Sequence, residues 1–485
     1  MQTLPRKLYL AQQVRELDRI AIEDCGMKGI KLMRTAAAAV FQYIQQHYTQ
    51  TKHIAVFCGS GNNAGDGYFI ALLALQANFK VSVYSIGSVE KLTSDALIAY
   101  QDYKKQGGST YSSQTLTQTP DLIIDALLET GLTRDISGTY AEAVKIINQT
   151  PCPVIAVDIP SGIHADTGCM MGSAVKADAT VSFIGLKQGL FTGTALDYCG
   201  KLIFDDLNVP KEVFTRVQYS SERLEKTILP PRLRNSHKGN FGHVLIIGGD
   251  TGFSGAARLA AESALRSGAG LVSLATHPSH ASLLNIGRFE LMCHGIEQPS
   301  QLQALLEKAT VIVIGTGLGQ KQWGKSLFDV IINSTLPMIV DADGLNLLAQ
   351  SPNYNNNRII TPHPKEAARL LNCSTTEISE NRFLAVKKIQ SRYGGVCLLK
   401  GAGTLISDAD ELFINTTGNA GMATAGMGDV LAGIIGGLVA QGLSLTTATT
   451  TASYIHGAAA DLAAVDGERG LLASDLMPYI RKLVN

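Results

Sequence analysis

Two series of short, continuously apolar runs, spaced by helix-length segments, constrain this chain more than any other feature. In the first half the runs are His53–Gly59, Val81–Gly87, Leu122–Leu127, Val154–Pro160, Ala179–Gly185 and Lys201–Leu207. Runs that are β-branched and show no polar alternation fit parallel strands covered on both faces. Between them lie segments of helical length, among them Asp66–Asn78 and Thr139–Asn148. This alternation predicts a doubly wound sheet, with Ala11–Tyr48 read as two helices packed on it. The pattern breaks over Val217–Asn235, which is charged, contains Pro230-Pro231 and shows no clear strand. A linker is expected there. The second series is His243–Gly249, Leu271–Thr276, Val311–Gly317, Met338–Asp343, Ile359–Pro362, Val396–Lys400, Thr404–Ser407 and Glu411–Asn415. It ends in two Ala- and Gly-rich helix patterns, Asp429–Gln441 and Thr446–Val465. No internal repeat links the halves, so the expectation is two different α/β domains, 1–220 and 221–485.

A chain of 485 residues exceeds one ordinary hydrophobic core, which agrees with two domains. Its 48 glycines against 15 prolines suit folds with many tight turns and close backbone approaches. Lys plus Arg equals Asp plus Glu, 41 each, with no basic tract, so no nucleic-acid partner is expected. None of the eight cysteines forms a CxxC pair, and several lie in strand-like runs. Buried, reduced thiols are therefore expected rather than zinc or disulfides. Met1–Leu10 carries charges without an apolar signal core. No run approaches the ~20 apolar residues of a membrane span. A cytoplasmic location and no membrane partner are the expectation.

The run Gly418–Asp429 leads straight into the apolar helix pattern Val430–Val439. Small residues let backbone amides approach an anion, and a helix start adds unpaired N–H groups and the positive dipole end. Asp429 then stands beside an anion site, where it can move a proton while phosphate charge is neutralised. The plain alternative is a glycine-rich turn with Asp429 as N-cap. Lys400-Gly401-Ala402-Gly403-Thr404 follows a strand and offers a cation, two glycines and a hydroxyl, which suits nucleotide contacts. Thr361–Glu366 and Asp341–Asn346 end two further strands. Polar groups at four strand ends imply one cleft at the carboxyl edge of one sheet.

These segments together resemble the ribokinase-like superfamily. The string GNAGMATAGMGDVLAG, with Lys238–His243, Gly248-Gly249, Ser254–Ala257, Arg266–Gly270 and Gly315–Gly319, looks more particularly like the ADP- or ATP-dependent NAD(P)H-hydrate dehydratases, over Leu229–Asn485. Those enzymes use a nucleotide to turn the C6 hydroxyl of hydrated NADH or NADPH into a leaving group. The resemblance implies a ribokinase-like α/β/α domain, with Asp429 as the acid–base group. It implies that Lys400, Gly401, Ala402, Gly403, Thr404 and Gly428 hold the adenine nucleotide. Ala256, Gly317, His363 and Asp429 would line the hydrate pocket. ADP is the implied nucleotide, with ATP as the alternative, together with magnesium. Lys365, Thr316, Ala420 and Ala425 depart from the family's usual Gly, Pro, Pro and Gly.

In the first half, Gly59–Gly67 occupies the phosphate-turn position between a strand and a helix, although its spacing is not GxGxxG. Asp125, Asp158 and Ser161 end further strands, and Lys187 follows another. Oxygen ligands converging on one edge suit a large monovalent cation, the plain alternative being separate caps and turns. NNAGDG, VDIPSG and GLKQGL together resemble the NAD(P)H-hydrate epimerase domain, over Tyr9–Pro210. The resemblance implies a Rossmann-like domain in which Asn62, Asn63, Ala64, Gly65, Asp66, Glu129, Thr130, Gly131, Leu132, Thr133, Arg134, Asp135 and Asp158 bind the hydrate. It implies potassium at Asn63, Asp125 and Ser161, and proton transfer by Asp158 and Lys187. Glu129 replaces the usual Gly, and His164 a common Asp.

The two resemblances interlock, since an epimerase renews the hydrate that a stereospecific dehydratase consumes. The expected protein is a bifunctional NAD(P)H-hydrate repair enzyme whose ligands are hydrated NADH, hydrated NADPH and ADP, assembled as a homo-oligomer of four or more copies. The rivals are a ribokinase-like kinase of a vitamin or sugar alcohol with an accessory Rossmann-like domain, and a nucleotide-binding regulator without catalysis.

Overall fold

Apolar runs without polar alternation have no wet face, and the protein buries most of them as parallel strands. A computed structural model describes residues 4–92, 94–112, 116 and 118–485, and the chain divides into two compact units, Met1–Glu222 and Arg223–Asn485.

Unit 1 is built on β1 (His53–Cys58), β2 (Lys80–Ser85), β3 (Thr110–Tyr111), β4 (Leu122–Ala126), β5 (Val154–Val157), β6 (Ala179–Phe183) and β7 (Lys201–Asp205). Their order is β3-β2-β1-β4-β5-β6-β7, and every pair is parallel. The order reverses between β1 and β4, which opens a crevice at their carboxyl ends. Gly59 makes that crevice: a Cβ there would lie 1.9 Å from the Leu127 carbonyl oxygen. Helices Ala11–Arg19 and Gly29–His47 precede the sheet, with a π turn, Ile20–Asp24, between them. An antiparallel pairing of Lys7 with Glu222 and Leu8 with Ser221 ties the start of the unit to its end.

Unit 2 carries β8 (His243–Ile247), β9 (Leu271–Thr276), β10 (Met292–Gly295), β11 (Val311–Ile314), β12 (Met338–Val340), β13 (Arg358–Ile360), β14 (Val396–Leu399), β15 (Thr404–Ser407) and β16 (Leu412–Asn415). Their order is β16-β15-β14-β13-β12-β11-β8-β9-β10. The strands β8 to β14 are parallel, whereas β14, β15 and β16 form an antiparallel meander. Here the order reverses between β8 and β11. The helix Met427–Ala440 packs closely on Ser254–Arg266. Its glycines permit this, since a Cβ at Gly433 would lie 2.0 Å from the Ala260 carbonyl oxygen.

Three details differ from the sequence expectation. The helix expected from Asp66 begins at Asn62, because Gly59–Gly61 alone completes the turn. The short β3 and β10 are edge strands with partly exposed residues, so no continuous apolar run announced them. Within Val217–Asn235 the segment Ser221–Arg223 is a strand.

Candidate functional sites

In unit 2 the residues just past β12, β13 and β14 meet the first turn of the helix Met427–Ala440. Lys400 Nζ donates to Asp341 Oδ1 at 2.7 Å, and Glu366 Oε2 lies 3.9 Å away. A Cβ on Gly428 would stand 3.2 Å from Lys400 Nζ and 3.3 Å from Asp341 Oδ2. The helix start therefore rests directly on this ion pair, and only a glycine leaves both groups undisturbed. Burial pulls the Lys400 ammonium down, but Asp341 and Glu366 outweigh it and hold the group above the ordinary lysine value. Burial pushes the Asp429 carboxyl up to about 7, with Asp341 adding to the rise and Lys400 opposing it. A carboxyl balanced near neutrality can both take and return a proton. Glu366 is likewise pushed up to about 7, by burial first, with Lys400 opposing and Asp341 adding.

The Gly418–Asp429 run splits in two. Gly418 N and Asn419 Nδ2 donate to the Asp461 carboxylate at 2.9 and 3.0 Å, and Gly421 N donates to Asn419 Oδ1. Those donors serve the protein's own loop. Beyond them Ala423–Ala425 is exposed, Gly426 turns at φ +89°, and Met427–Asp429 opens the helix with amides that have no intrahelical acceptor. The amides open to an anion therefore lie in the second half of the run.

The Lys400–Thr404 loop is shaped from below. Arg382 donates to the carbonyl oxygens of Leu399 and Lys400 at 3.3 Å, of Gly403 at 3.2 Å, and of Ala402. Gly317 and Ala256 are neighbours on the wall formed by the ends of β8 and β11: a Cβ on Gly317 would be 3.2 Å from Ala256 Cβ. His363 lies at the end of β13, where its Nδ1 accepts from Lys365 N and Glu366 N at 3.1 and 3.3 Å. Its ring therefore caps the helix Pro364–Leu371 with Nδ1 and leaves Nε2 towards Glu366 Oε1 at 3.4 Å.

In unit 1 two cavities adjoin the crevice. The larger, about 900 Å³, is lined by Ser60, Gly61 and Leu132–Asp135 among others. The smaller, about 320 Å³, holds Asn62, Asp66, Thr130, Asp158 and Lys187. Asn63, Glu129 and Gly131 line both. Asp158, just past β5, has a left-handed backbone at φ +70°, a costly conformation for a residue with a Cβ. It aims the carboxylate at Lys187, with which it forms an ion pair, and Oδ1 also accepts from Ser182 Oγ at 3.1 Å and Phe183 N at 3.2 Å. Burial drives the Asp66 carboxyl well above the usual range, with Asp158 and Glu129 next. Burial also raises Glu129, and Asp158 adds to it.

Behind this wall Asp125 is fully buried. Ser161 donates to it twice, from Oγ at 2.7 Å and N at 2.8 Å. Burial still pushes the Asp125 carboxyl up to about 6, against the pull of Ser161. Asn63 spends its Nδ2 on the carbonyl oxygens of Leu128 at 3.0 Å and Val157 at 3.2 Å. Its buried Oδ1 has no partner among the described residues, so an acceptor atom there lacks a cation or donor. Ala64 and Gly65 line neither cavity. Ala64 is fully buried, and a Cβ on Gly65 would press on Met33 and Ala96.

Sequence reasoning missed Asp18, which lines the smaller cavity, and Arg382, which acts through backbone carbonyls that carry no motif. It also missed His456, buried with Nε2 unpartnered among the described residues. Burial, then Lys400, lowers that imidazole to about 4.

Two doubly wound units, each with a Lys–Asp pair at its strand ends, define an α/β enzyme with two separate sites. The family described as NAD(P)H-hydrate dehydratase matches residues 244–482, and that described as YjeF-related protein N-terminus matches residues 29–189. The chain is 45% identical over 493 residues to the bifunctional NAD(P)H-hydrate repair enzyme Nnr of Coxiella burnetii, covering 99% of each. It is 44% identical over 490 residues to the enzyme of the same name from Escherichia coli, covering 100% of this chain and 95% of that one. A crystal structure of ADP/ATP-dependent NAD(P)H-hydrate dehydratase from Bacillus subtilis with ATP/Mg2+ is 30% identical, covers 53% of this chain and 93% of that chain, and has a TM-score of 0.49. This chain belongs to the bifunctional NAD(P)H-hydrate repair enzymes, with an epimerase domain and a dehydratase domain. No helix among the described residues is long and apolar enough to cross a membrane.

Proposed function

We propose that the domain 1–220, in unit 1, interconverts the R and S hydrates of NADH and NADPH, and that the domain 221–485, built on unit 2, dehydrates the S form at the expense of ADP. The observation that carries the second assignment is the stack of Gly428 on the Lys400–Asp341 pair. It brings together an ammonium and helix-start amides, the groups that would hold a nucleotide's terminal phosphate, with Asp429 adjacent in the chain. Asp429 takes the proton of the C6 hydroxyl as its oxygen attacks the terminal phosphorus of ADP, whose bond to the bridging oxygen breaks and releases AMP. The C6–O bond then breaks with its electron pair leaving on phosphate, a far better leaving group than hydroxide, and loss of a C5 proton to water restores the C5=C6 double bond. Lys400–Thr404 and Gly428 hold the nucleotide, and Ala256, Gly317 and His363 hold the hydrate. Magnesium would enter with the nucleotide, held chiefly by its phosphate oxygens and water, since Asp341 is sealed beneath Lys400.

In unit 1, Asn62–Asp66 and Glu129–Asp135 bind the hydrate, and Asp158 with Lys187 carries out proton transfer during interconversion of the R and S hydrates. Potassium fits the oxygen set of Asn63, Asp125 and Ser161, whose unsatisfied member is the buried Asn63 Oδ1. There it would supply fixed positive charge beside the loop after β4. A cytoplasmic homo-oligomer of four or more copies completes this reading.

The test is to incubate the protein with a mixture of hydrated NADH epimers and ADP and follow the return of reduced-nicotinamide absorbance. Complete recovery of both epimers is expected. Recovery that stops at the S fraction refutes the epimerase, and no recovery with either ADP or ATP refutes the dehydratase.

A further inference from the structure

The helix Ala11–Arg19 turns one stripe towards the smaller cavity of unit 1: Val14, Arg15 and Asp18 line it, followed by Ile22. Directly after Arg19 the backbone leaves α winding for the π turn Ile20–Asp24, a departure frequent at functional sites. Asp18 shares the cavity with Asp66, Asp95, Glu129, Asp158, Lys187 and Arg15. Neither of its oxygens accepts a hydrogen bond or ion pair among the described residues. Asp18 is half-buried, and its carboxyl lines the cavity without the double capping that Ser161 gives Asp125. Burial pushes the Asp18 carboxyl up to about 6, with Lys187 opposing and Asp158 and Glu129 adding. Of the five carboxyl groups that line the cavity, two stand in contrasting settings. Asp158 is tied to an ammonium, whereas Asp18 has no cation bonded to it, and such contrast separates an acid from a base.

We propose that Asp18 is a second catalytic proton carrier of the epimerase, acting on the C6 hydroxyl of the hydrate together with the Asp158–Lys187 pair. This rests on the epimerase reading of unit 1. Inverting C6 requires that the carbon become planar, so the hydroxyl must leave one face and return to the other. Asp18 in its acid form gives a proton to the C6 hydroxyl oxygen. The C6–O bond breaks with its electron pair leaving on water, while the N1 lone pair forms the C6=N1 bond. Water then adds at the other face, the C6=N1 pair returns to N1, and Asp158 takes the proton that the water sheds. One proton enters at Asp18 and one leaves at Asp158, the two groups exchange roles in the reverse direction, and exchange with solvent resets them.

The experiment uses the full chain and the R hydrate of NADH without nucleotide, with the epimers separated by chromatography over time. Asp18→Asn lowers kcat for epimerisation by about 100-fold or more with KM little changed. In wild type kcat/KM falls as pH rises through about 6, and the Asn variant loses that limb. Asp18→Glu restores part of the rate, which a purely structural loss would not allow. An Asn variant with wild-type kcat, an unmoved pH profile, or a loss confined to KM overturns the role of Asp18. Should Asp18→Asn not fold, Asp18→Glu decides, by a shifted limb in favour and an unchanged one against. Wild type that fails to interconvert the epimers overturns the epimerase reading itself, which is a separate outcome.

Discussion

Both units place a Lys–Asp pair at strand ends, but they turn it in opposite directions. In unit 1 the Lys187 side chain is 1% exposed and Asp158 21%, while in unit 2 Lys400 is 20% exposed and Asp341 2%. One site therefore shows its ligand a carboxylate backed by a buried cation. The other shows an ammonium backed by a buried anion. The first arrangement suits proton transfer at a carbon bearing a hydroxyl, and the second suits a phosphate. On the functions proposed, the same two residue types become base or clamp according to which of them the fold seals away. With its paired carboxylate spent as foundation, unit 2 needs a separate acid–base group, and the proposal gives that place to Asp429.

Four measurements would break or sharpen this contrast. Asp429→Asn should lower dehydration by about 10²–10⁴-fold, with the loss confined to that reaction. Equal loss of epimerisation would mean the sites are not independent. The inverted exposure predicts an inverted pattern of stability. Lys400→Met strands the buried Asp341, and Asp158→Asn strands the buried Lys187, so each should cost about 3–5 kcal/mol in denaturant unfolding. Lys187→Met and Asp341→Asn leave behind a partner that reaches solvent and should cost about 1–2 kcal/mol less than that. Equal costs within each pair would remove the distinction.

The raised Asp429 carboxyl gives a third test. Between the ordinary aspartate value of about 4 and its folded value of about 7, the folded chain keeps a proton that the unfolded chain has shed. Its contribution is fully present below about pH 4 and is lost as pH rises to about 7. Asp429→Asn escapes that loss, so melting curves should show the inactive variant gaining on wild type across this window, by on the order of 2–4 kcal/mol. A gap that does not change with pH would refute the raised value. Replacing potassium by lithium should slow epimerisation severalfold and spare dehydration, because a smaller ion fits the Asn63, Asp125 and Ser161 oxygens poorly. Equal rates in both salts would remove the cation from the epimerase.

Much of this arrangement was legible beforehand. Strands buried on both faces cannot alternate, so β1, β4 and β11 stand out in the chain. Glycines such as Gly428 mark places where a backbone must approach something closely. Asp18 was not legible, because its helix reads as an ordinary amphipathic element and the charged groups that share its cavity, Asp66, Asp95, Glu129, Asp158 and Lys187, come from five other parts of the chain. The division of the Gly418–Asp429 run was equally hidden: Asp461, which claims the first donors, lies 43 residues from Gly418. Nor did residue types announce which member of each Lys–Asp pair faces its ligand, since exposure depends on the packing around the strand ends.

The pairing of Lys7 with Glu222 and Leu8 with Ser221 has a consequence for synthesis on the ribosome. A chain growing from its N-terminus owns every group of the first site by Lys187, and its closing strand follows at residue 222. The second site waits for Asp429, near the far end, and joins residues separated by 59 positions in the Lys400–Asp341 pair alone. Domains fold largely as units and in order of emergence. Each new molecule should thus pass through a stage in which it can interconvert epimers but cannot yet spend a nucleotide.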